Sequence, residues 1–489
     1  MKMFPPILTK PDDPDYDAKI AKGKRLNDSQ PFNLTLWSEA GPVDALVEAL
    51  NAEVVAYEKK TRVHLYKNLL HLKSLVVNLF YLSCRNPKRF WGFSRMNGYY
   101  DSKSRNNPVP VASRLVQLID VLAALGYVET HKGHHDRKTP ERSRQSRMRA
   151  TETLVALFGS YGLVPDMLSL HPDSELIVLR PPKGHAKEEQ EDQFDDEEDE
   201  EEDDPEVGSV LDYMDTDYTN QARANLRTIN ALLQTTNIDL PLKPEEQDEM
   251  KANLQGKGRW PISMKMKTLK RIYNNSDFEQ GGRFYGGWWE TLPSEYRKRI
   301  TINGMPSAEV DYSTMHPRIL YAARGLTCPD VPYVIEGLPQ GLRKVVKRAL
   351  LIIINAPTRK GAVGALKKRI RDDGLDLMGY TLKEVMSRIE QTHEPIKDDF
   401  YTGKGTFLQR IDSDIAEQVM LHFAAQGLPV LPVHDSFIVP ALAEDALSKV
   451  MKEIFQALTG QQGAVEAKWD NPVGAVLRAG WLRHLTIPD

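Results

Sequence analysis

The chain has 489 residues, of which 41% are apolar and 27% charged, and this length suggests two or three domains with sizeable cores. Its two cysteines, Cys84 and Cys328, argue against a disulfide framework and are too few for a zinc cluster. The N-terminal sequence lacks the apolar stretch of a signal peptide, and no apolar run approaches the ~20 residues that span a bilayer. We therefore expect a cytoplasmic protein with no membrane partner.

Charge is distributed unevenly along the chain. Residues 188–206 hold 15 acidic and no basic residues, and without them the formal net charge changes from −4 to +11. A basic body fits a protein that binds a polyanion. We interpret residues 186–208 as a disordered acidic linker, although a segment that competes with nucleic acid for the basic surface is the alternative. The linker separates an N-terminal extension (1–60) and a small domain (61–185) from a larger domain (209–489).

The small domain has the sequence pattern of a winged helix. Ser113 caps a predicted helix with apolar residues at helical spacing, Gly126 ends it, and a short strand, a basic loop and a second strand follow. A basic hairpin beside a helix suits contacts to phosphates. The candidate nucleic-acid contacts here are Arg114, Lys132 and Arg147. Winged helices also bind proteins, so a protein-interaction module is the alternative.

The larger domain contains three segments with candidate chemistry. Asp311 follows a short predicted strand and precedes a helix start at Ser313, so its carboxylate projects from a strand end. Asp435 lies between two apolar runs, as at the tip of a β-hairpin, where a half-buried carboxylate is costly unless it binds a cation. The third segment, residues 342–356, is a predicted helix.

This predicted helix presents its cations along one line, opposite an apolar side. Its candidate nucleotide-binding residues, spaced four apart, are Arg343, Lys347, Leu351 and Asn355. Nucleotidyl transfer needs two Mg²⁺ ions ~3.5–4 Å apart, oxygen ligands that hold them, and cations that neutralise a triphosphate. Two aspartates, a backbone carbonyl and this helix would supply those parts.

On these motifs the chain resembles the family A DNA polymerases and the related single-subunit, phage-type RNA polymerases. Asp311-Tyr312-Ser313 is similar to motif A, and Arg343 with Lys347 is similar to the R-x-x-x-K of motif B. His434-Asp435-Ser436-Phe437 is similar to motif C, and its HDSF form is especially like the RNA polymerase branch.

Two further elements extend the resemblance to about residues 280–440, in the family's order. Gly282-Arg283-Phe284 resembles the Gly-Arg element that contacts the template-primer, and Gln409 to Glu417 resembles the palm helix at the minor groove. The resemblance implies an α+β fold, a right-hand polymerase palm and fingers with an antiparallel sheet, preceded by the small winged-helix-like domain.

The resemblance also implies the site. Two Mg²⁺ ions, for which Mn²⁺ could substitute, would be held by Asp311, Asp435 and the Tyr312 carbonyl. A dNTP or NTP would lie against the motif B face and His316. The template-primer duplex would contact Arg283, Gln409, Asp412 and His434, although His434 also suits a structural turn.

The chain departs from the family at two points. Motif B of the family ends in Tyr-Gly, whereas this chain has Asn355-Ala356. His316 stands where DNA polymerases carry a sugar-sensing Glu; its bulk would exclude a 2′-hydroxyl and favour dNTPs, while the HDSF form favours NTPs. We predict a DNA-directed DNA polymerase of phage- or plasmid-type replication. The alternatives are a DNA-directed RNA polymerase or primase, and an inactive palm that serves as a nucleic-acid-binding regulatory module.

Overall fold

The computed structural model describes residues 29–61, 69–95, 103–109, 114–133, 145–182 and 210–468. These residues form two compact units. The first contains the described residues up to Glu175 together with Gln247–Met266, and the second contains the rest. The acidic linker, the Ser113 cap and the basic loop at 134–144 lie outside the described residues, so what we expect of them stays a prediction.

The first unit combines helices with short strands. Its helices are α1 (Gly41–Thr61), α2 (Leu69–Arg85), α3 (Arg114–Ala124) and α4 (Glu152–Ser160). Its strands are β1 (Ser29–Pro31), β2 (Leu36–Trp37), β3 (Phe90–Phe93), β4 (Val128–His131), β5 (Ser146–Ala150) and β6 (Ser169–Leu170). One sheet has the order β1-β3-β5-β4, with β1 parallel to β3 and the other pairs antiparallel. Strands β2 and β6 form a separate antiparallel pair.

The predicted helix of the small domain is confirmed as α3. Its regularly spaced apolar residues are buried in the core of the unit, namely Leu115, Leu118, Ile119 and Leu122. Gly126 follows with a φ of 85°, as expected of a glycine that ends a helix. After the β4–β5 pair the chain continues into α4, where Thr151 accepts a hydrogen bond from the Leu154 N–H as N-cap. The winged-helix assignment itself stays a prediction.

The second unit is larger. Its helices are α5 (Asp217–Thr235), α6 (Pro244–Gly256, of which the part from Gln247 belongs to the first unit), α7 (Ser294–Arg297), α8 (Met315–Ala323), α9 (Arg343–Asn355), α10 (Arg359–Asp372), α11 (Leu382–Thr392), α12 (Gly405–Ala424) and α13 (Glu444–Thr459). Its strands are β7 (Ile177–Leu179), β8 (Ile238–Asp239), β9 (Lys270–Tyr273), β10 (Gly281–Tyr285), β11 (Thr301–Ile302), β12 (Met305–Tyr312), β13 (Leu431–Val433), β14 (Ser436–Pro440) and β15 (Val465–Ala467). Within the described ranges, no helix is both long and apolar enough to cross a membrane.

Two sheets organise the second unit, and the fold is a mixed α+β arrangement. In the sheet β10-β9-β7, strand β9 is antiparallel to β10 and parallel to β7. Because β7 pairs with β9, residues 176–182 group with this second unit, and the domain bounds predicted from the sequence stay a prediction. The other sheet has the order β13-β14-β12-β11-β8, and β15 also pairs with β12.

The side chains on the core-facing side of β12 hold the strand in position. The Tyr312 ring packs against Phe437 of β14 and Phe455 of α13, with ring centroids 6.4 and 5.8 Å away. Its hydroxyl donates a hydrogen bond of 2.6 Å to the Met451 carbonyl oxygen. Because successive side chains of a strand point to opposite faces, Asp311 faces away from this core.

A buried histidine follows α11. The His393 ring is fully buried, with Nδ1 3.0 Å from the Tyr321 hydroxyl and Nε2 2.9 Å from the Pro332 carbonyl oxygen. A carbonyl can only accept, so Nε2 carries the proton and Nδ1 accepts from Tyr321. Burial holds the pKa of His393 below its usual value, and the folded protein therefore keeps this ring neutral.

We predict that acid destabilises the fold through His393. The unfolded chain takes up a proton on this ring below about pH 6.5, whereas the folded chain does so only at lower pH. The stability contribution is therefore fully present above about pH 6.5 and is lost as the pH falls from there towards the lower pKa of the folded state. His393→Gln keeps a donor and an acceptor but does not titrate. Its melting temperature, followed by circular dichroism from about pH 7.5 to about pH 5.5, should therefore fall less than that of the wild type. The exposed His422 is the control: His422→Gln should keep the wild-type slope, and a wild-type slope in His393→Gln would contradict the assignment.

Candidate functional site

Strand pairing brings the two predicted metal ligands together. In the antiparallel pair β12–β14, Asp311 lies opposite Ser436, and the Tyr312 N–H donates to the Asp435 carbonyl oxygen at 3.2 Å. Opposed residues of such a pair have Cα atoms about 5 Å apart. Two aspartates that are far apart in the chain therefore meet at one end of the sheet, and both are half-buried.

The predicted β-hairpin around Asp435 is confirmed. Strands β13 and β14 pair up to Val433 and Ser436, and the chain turns through His434 and Asp435. His434 adopts a φ of 56°, a conformation in which His is enriched among non-glycine residues. Its ring lies edge-on to the Tyr285 ring, with centroids 6.0 Å apart. His434 thus serves the turn, and its contact with nucleic acid stays a prediction.

Glu309 shares the face of β12 that carries Asp311 but is committed to other partners. Arg297 donates to both Glu309 carboxylate oxygens at 3.1 and 3.2 Å, and the Ser436 hydroxyl donates to Oε1 at 2.8 Å. The Glu309 side chain is completely buried, so its charge requires this compensation. No motif in the sequence singles out Glu309 or Arg297.

Lys468 is a further charged residue at the pair. It follows β15, and its Nζ lies 3.1 Å from Asp311 Oδ2. Burial acts to lower the pKa of Lys468, but the neighbouring carboxylates, Asp311 foremost, raise it above its ordinary value. The ammonium group is therefore charged and forms an ion pair with Asp311. Nothing in the sequence pointed to Lys468, because only the pairing of β15 with β12 places it here.

Three residues that we predicted to contact nucleotide or nucleic acid form a buried cluster. Arg283 of β10, His316 of α8 and Asp412 of α12 are 2%, 4% and 3% exposed. Arg283 Nη2 donates to Asp412 Oδ2 at 2.8 Å, and His316 Nε2 lies 3.2 Å from the same oxygen. Their polar atoms thus join three elements, and direct contact of these side chains with nucleotide or nucleic acid stays a prediction.

A second buried cluster binds β9 to α12. The fully buried Arg271 donates from Nε to the Gly282 carbonyl oxygen at 2.8 Å and from Nη2 to Asp414 Oδ1 at 2.6 Å. Its Nη1 lies 3.2 Å from Glu417 Oε1. Nothing in the sequence pointed to this role, because Arg271 lies in a Lys/Arg-rich run of the kind typical of an exposed surface.

The predicted nucleotide-binding face of α9 changes character along the helix. Arg343 is exposed, its guanidinium carbon 5.9 Å from the Tyr333 ring centroid, and Lys347 is half-buried. Leu351 is buried at 6% exposure, and the Asn355 amide donates to the Leu351 carbonyl oxygen at 2.9 Å. The first half of α9 therefore presents cations, whereas the second half is packed.

The remaining predicted nucleic-acid contacts differ in exposure. Gln409 of α12 is half-buried. In the first unit, Arg114 at the start of α3 and Lys132 after β4 are exposed, whereas Arg147 of β5 is 6% exposed. Arg114 and Lys132 can offer charge to a phosphate backbone, but the Arg147 side chain has little surface with which to do so.

Asp311 and Asp435 are the residues of this site that could hold a metal ion. Among the residues with described positions, no group of three or more His, Cys, Asp or Glu side chains could hold a metal ion. Asp311 and Asp435 supply two carboxylates, and Mg²⁺ is commonly bound through one or two carboxylates, waters and substrate phosphates. The pair thus offers the carboxylate oxygens that a Mg²⁺ ion shared with a substrate phosphate would need.

No protein-family model matches the sequence, and no curated protein matches it. Among solved structures, the chain is similar to one described as the POL domain of Pol1 from M. smegmatis in complex with DNA primer-template and dNTP, with a TM-score of 0.28 and 14% sequence identity. The match covers 47% of this chain and 52% of that one, so this chain spans about half the length of the matched structure. At this TM-score the likeness does not establish a shared fold.

The close approach of β10 to α12 yields a prediction about Gly282. It has a φ of 84°, and a Cβ there would lie 2.9 Å from both Ser413 Oγ and Tyr273 Cε1. We expect Gly282→Ala to destabilise the protein by about 2–4 kcal/mol, the sum of a left-handed backbone and an overpacked contact.

Gly304 supplies the matched control, since its φ of 77° is similar but a Cβ there meets no atom within 4 Å. Gly304→Ala should lose only the backbone contribution, about 1 kcal/mol. Unfolding in urea, followed by tryptophan fluorescence, compares the two variants, and equal losses would contradict the close approach.

Proposed function

We propose that the protein is a template-directed nucleotidyltransferase, specifically a DNA-directed DNA polymerase located in the cytoplasm. The observation that carries the proposal is the β12–β14 register, which unites Asp311 and Asp435 at one end of an antiparallel sheet. The same unit contains the cationic first half of α9. Carboxylates for divalent ions and cations for a triphosphate are the parts that nucleotidyl transfer requires.

The residues of the site have separate tasks in this proposal. Asp311, Asp435 and the Tyr312 carbonyl would hold two Mg²⁺ ions, which when bound activate the attacking 3′-oxygen and stabilise the leaving pyrophosphate. Arg343 and Lys347 would orient the triphosphate and neutralise its charge. Asp412 and Arg283 would support the site from the interior, since both are buried.

Substrate choice depends on His316 in this proposal. The ring is held by Asp412 at 3.2 Å, so a buried contact fixes its position. A fixed imidazole beside the sugar would exclude a 2′-hydroxyl and favour dNTPs. A DNA-directed RNA polymerase or primase is the alternative if the ring does not reach the sugar.

A catalytically inactive palm that binds nucleic acid is a second candidate, and one observation favours it. Lys468 already compensates the charge of Asp311, so the carboxylate has a positively charged partner without a metal. In either case we propose that the first unit binds nucleic acid, with the exposed Arg114 and Lys132 as phosphate contacts.

Primer extension tests the carboxylate pair. Purified full-length protein is given a defined primer-template, Mg²⁺ or Mn²⁺, and separate pools of dNTPs or NTPs. Asp311→Ala and Asp435→Ala should each lower extension by at least about a thousandfold, because each removes an oxygen ligand of the ions that stabilise the transition state. Glu453→Ala, at an exposed acid on α13, should extend like the wild type.

The outcomes separate the candidates. Extension with dNTPs favours the DNA polymerase, and extension with NTPs favours the RNA polymerase or primase. Tight DNA binding without incorporation under either metal would favour the inactive palm. Undiminished extension in either aspartate variant would refute the proposed site.

Helix α9 gives a separate prediction. Lys347→Ala should raise the KM for the incoming nucleotide about tenfold, equivalent to ~1.4 kcal/mol, because a cation beside the triphosphate is lost. Lys452, an exposed lysine on α13, is the control, so Lys452→Ala should change KM much less. Steady-state single-nucleotide incorporation measures both variants, and equal KM values for Lys347→Ala and the wild type would contradict the assignment.

A further inference from the structure

Lys468 is held beside Asp311 by its backbone as well as by its charge. Strand β15 pairs with β12 so that Glu466 lies opposite Asp311. The Lys468 N–H then donates to the Glu309 carbonyl oxygen at 2.9 Å. Because this hydrogen bond ties the Lys468 backbone to the strand that carries Asp311, the lysine side chain can reach the carboxylate. Its Nζ lies 3.1 Å from Asp311 Oδ2.

Glu309 and Asp311 lie on the same face of β12, and the cations paired with them differ in how firmly they are held. Arg297 binds both oxygens of the fully buried Glu309 and is itself only 14% exposed. Within the described part of the chain, Lys468 pairs with Asp311 through one oxygen, and the lysine side chain is 32% exposed. An ammonium on a flexible four-carbon stem can leave a partly exposed carboxylate far more easily than a bidentate guanidinium can leave a buried one.

We propose that Lys468 is an internal counter-ion of Asp311 that a divalent cation must displace, so that this lysine sets the affinity of the aspartate pair for metal. The inference rests on the metal site of the proposed function and deepens it. A positive charge a few ångströms away from the site repels an incoming divalent ion. It also occupies the carboxylate that the ion requires.

The test measures metal binding directly. Mn²⁺ is titrated into full-length protein without nucleotide or nucleic acid, and free Mn²⁺ is followed by electron paramagnetic resonance. Lys468→Met should bind Mn²⁺ about tenfold more tightly than the wild type, because the competing charge is gone. Lys468→Arg keeps the charge and should not show the gain. Lys452→Met, at an exposed lysine on α13, should bind Mn²⁺ like the wild type.

A double variant tests whether the tighter Mn²⁺ binding depends on Asp311. Adding Asp311→Asn to Lys468→Met should abolish the tighter binding. Circular dichroism checks that each variant is folded, and Lys468→Gln replaces Lys468→Met if the latter is not. Unchanged or weaker Mn²⁺ binding in the folded neutral variant would overturn the proposal, as would a gain that survives Asp311→Asn.

Primer extension run in parallel separates this inference from the proposed function. If Lys468→Met binds Mn²⁺ more tightly but no variant extends a primer, the counter-ion role of Lys468 is supported and the proposed polymerase activity is not. If the wild type extends primers but Lys468→Met binds Mn²⁺ like the wild type, only the counter-ion role of Lys468 is overturned.

Discussion

The candidate site depends on one constraint, the register of β12 against β14. Side chains alternate along a strand, so a slip of one residue would turn Asp311 towards the core and Tyr312 towards the opposite face. Tyr312 opposes such a slip, because its ring packs on Phe437 and Phe455 and its hydroxyl is bound to a buried carbonyl. The hydrophobic face of the strand therefore determines where the carboxylate on the polar face is placed.

Helix α12 is joined to β9 and β10 of the second unit by buried ion pairs. It carries Asp412, which is bound to Arg283, and Asp414 and Glu417, which are bound to Arg271. Burying guanidinium groups is costly, so these pairs contribute little net stability, but loss of either partner would leave an uncompensated buried charge. At its start, α12 begins with Gly405, where a Cβ would clash with Asn355 Oδ1 of α9. The packing of Asn355 there gives a physical reason for a small residue at the start of α12.

Local patterns in the sequence were sufficient for some of this architecture. Helical periodicity predicted α3 and α9, and apolar runs around a polar tip predicted the hairpin at Asp435. The spacing of Leu351 and Asn355 predicted a shared face but not its burial, because periodicity does not say what packs against a face. Arg271 and Lys468 could not be predicted, since their partners are brought to them only by strand pairing and helix packing across long stretches of chain.

Charge compensation on β12 distinguishes a permanent part of the site from an exchangeable one. Glu309 is neutralised by Arg297 through two hydrogen bonds in the interior, where loss of either partner would leave an uncompensated buried charge. Asp311 is neutralised at the boundary with solvent by a lysine that water can solvate once it is released. In our proposal the strand thus carries one acid whose partner must stay and, two residues later, one acid whose partner a metal ion displaces. Replacement by a divalent ion would leave the fold unchanged, because the register that positions Asp311 is fixed by Tyr312 on the other face and not by the ion pair.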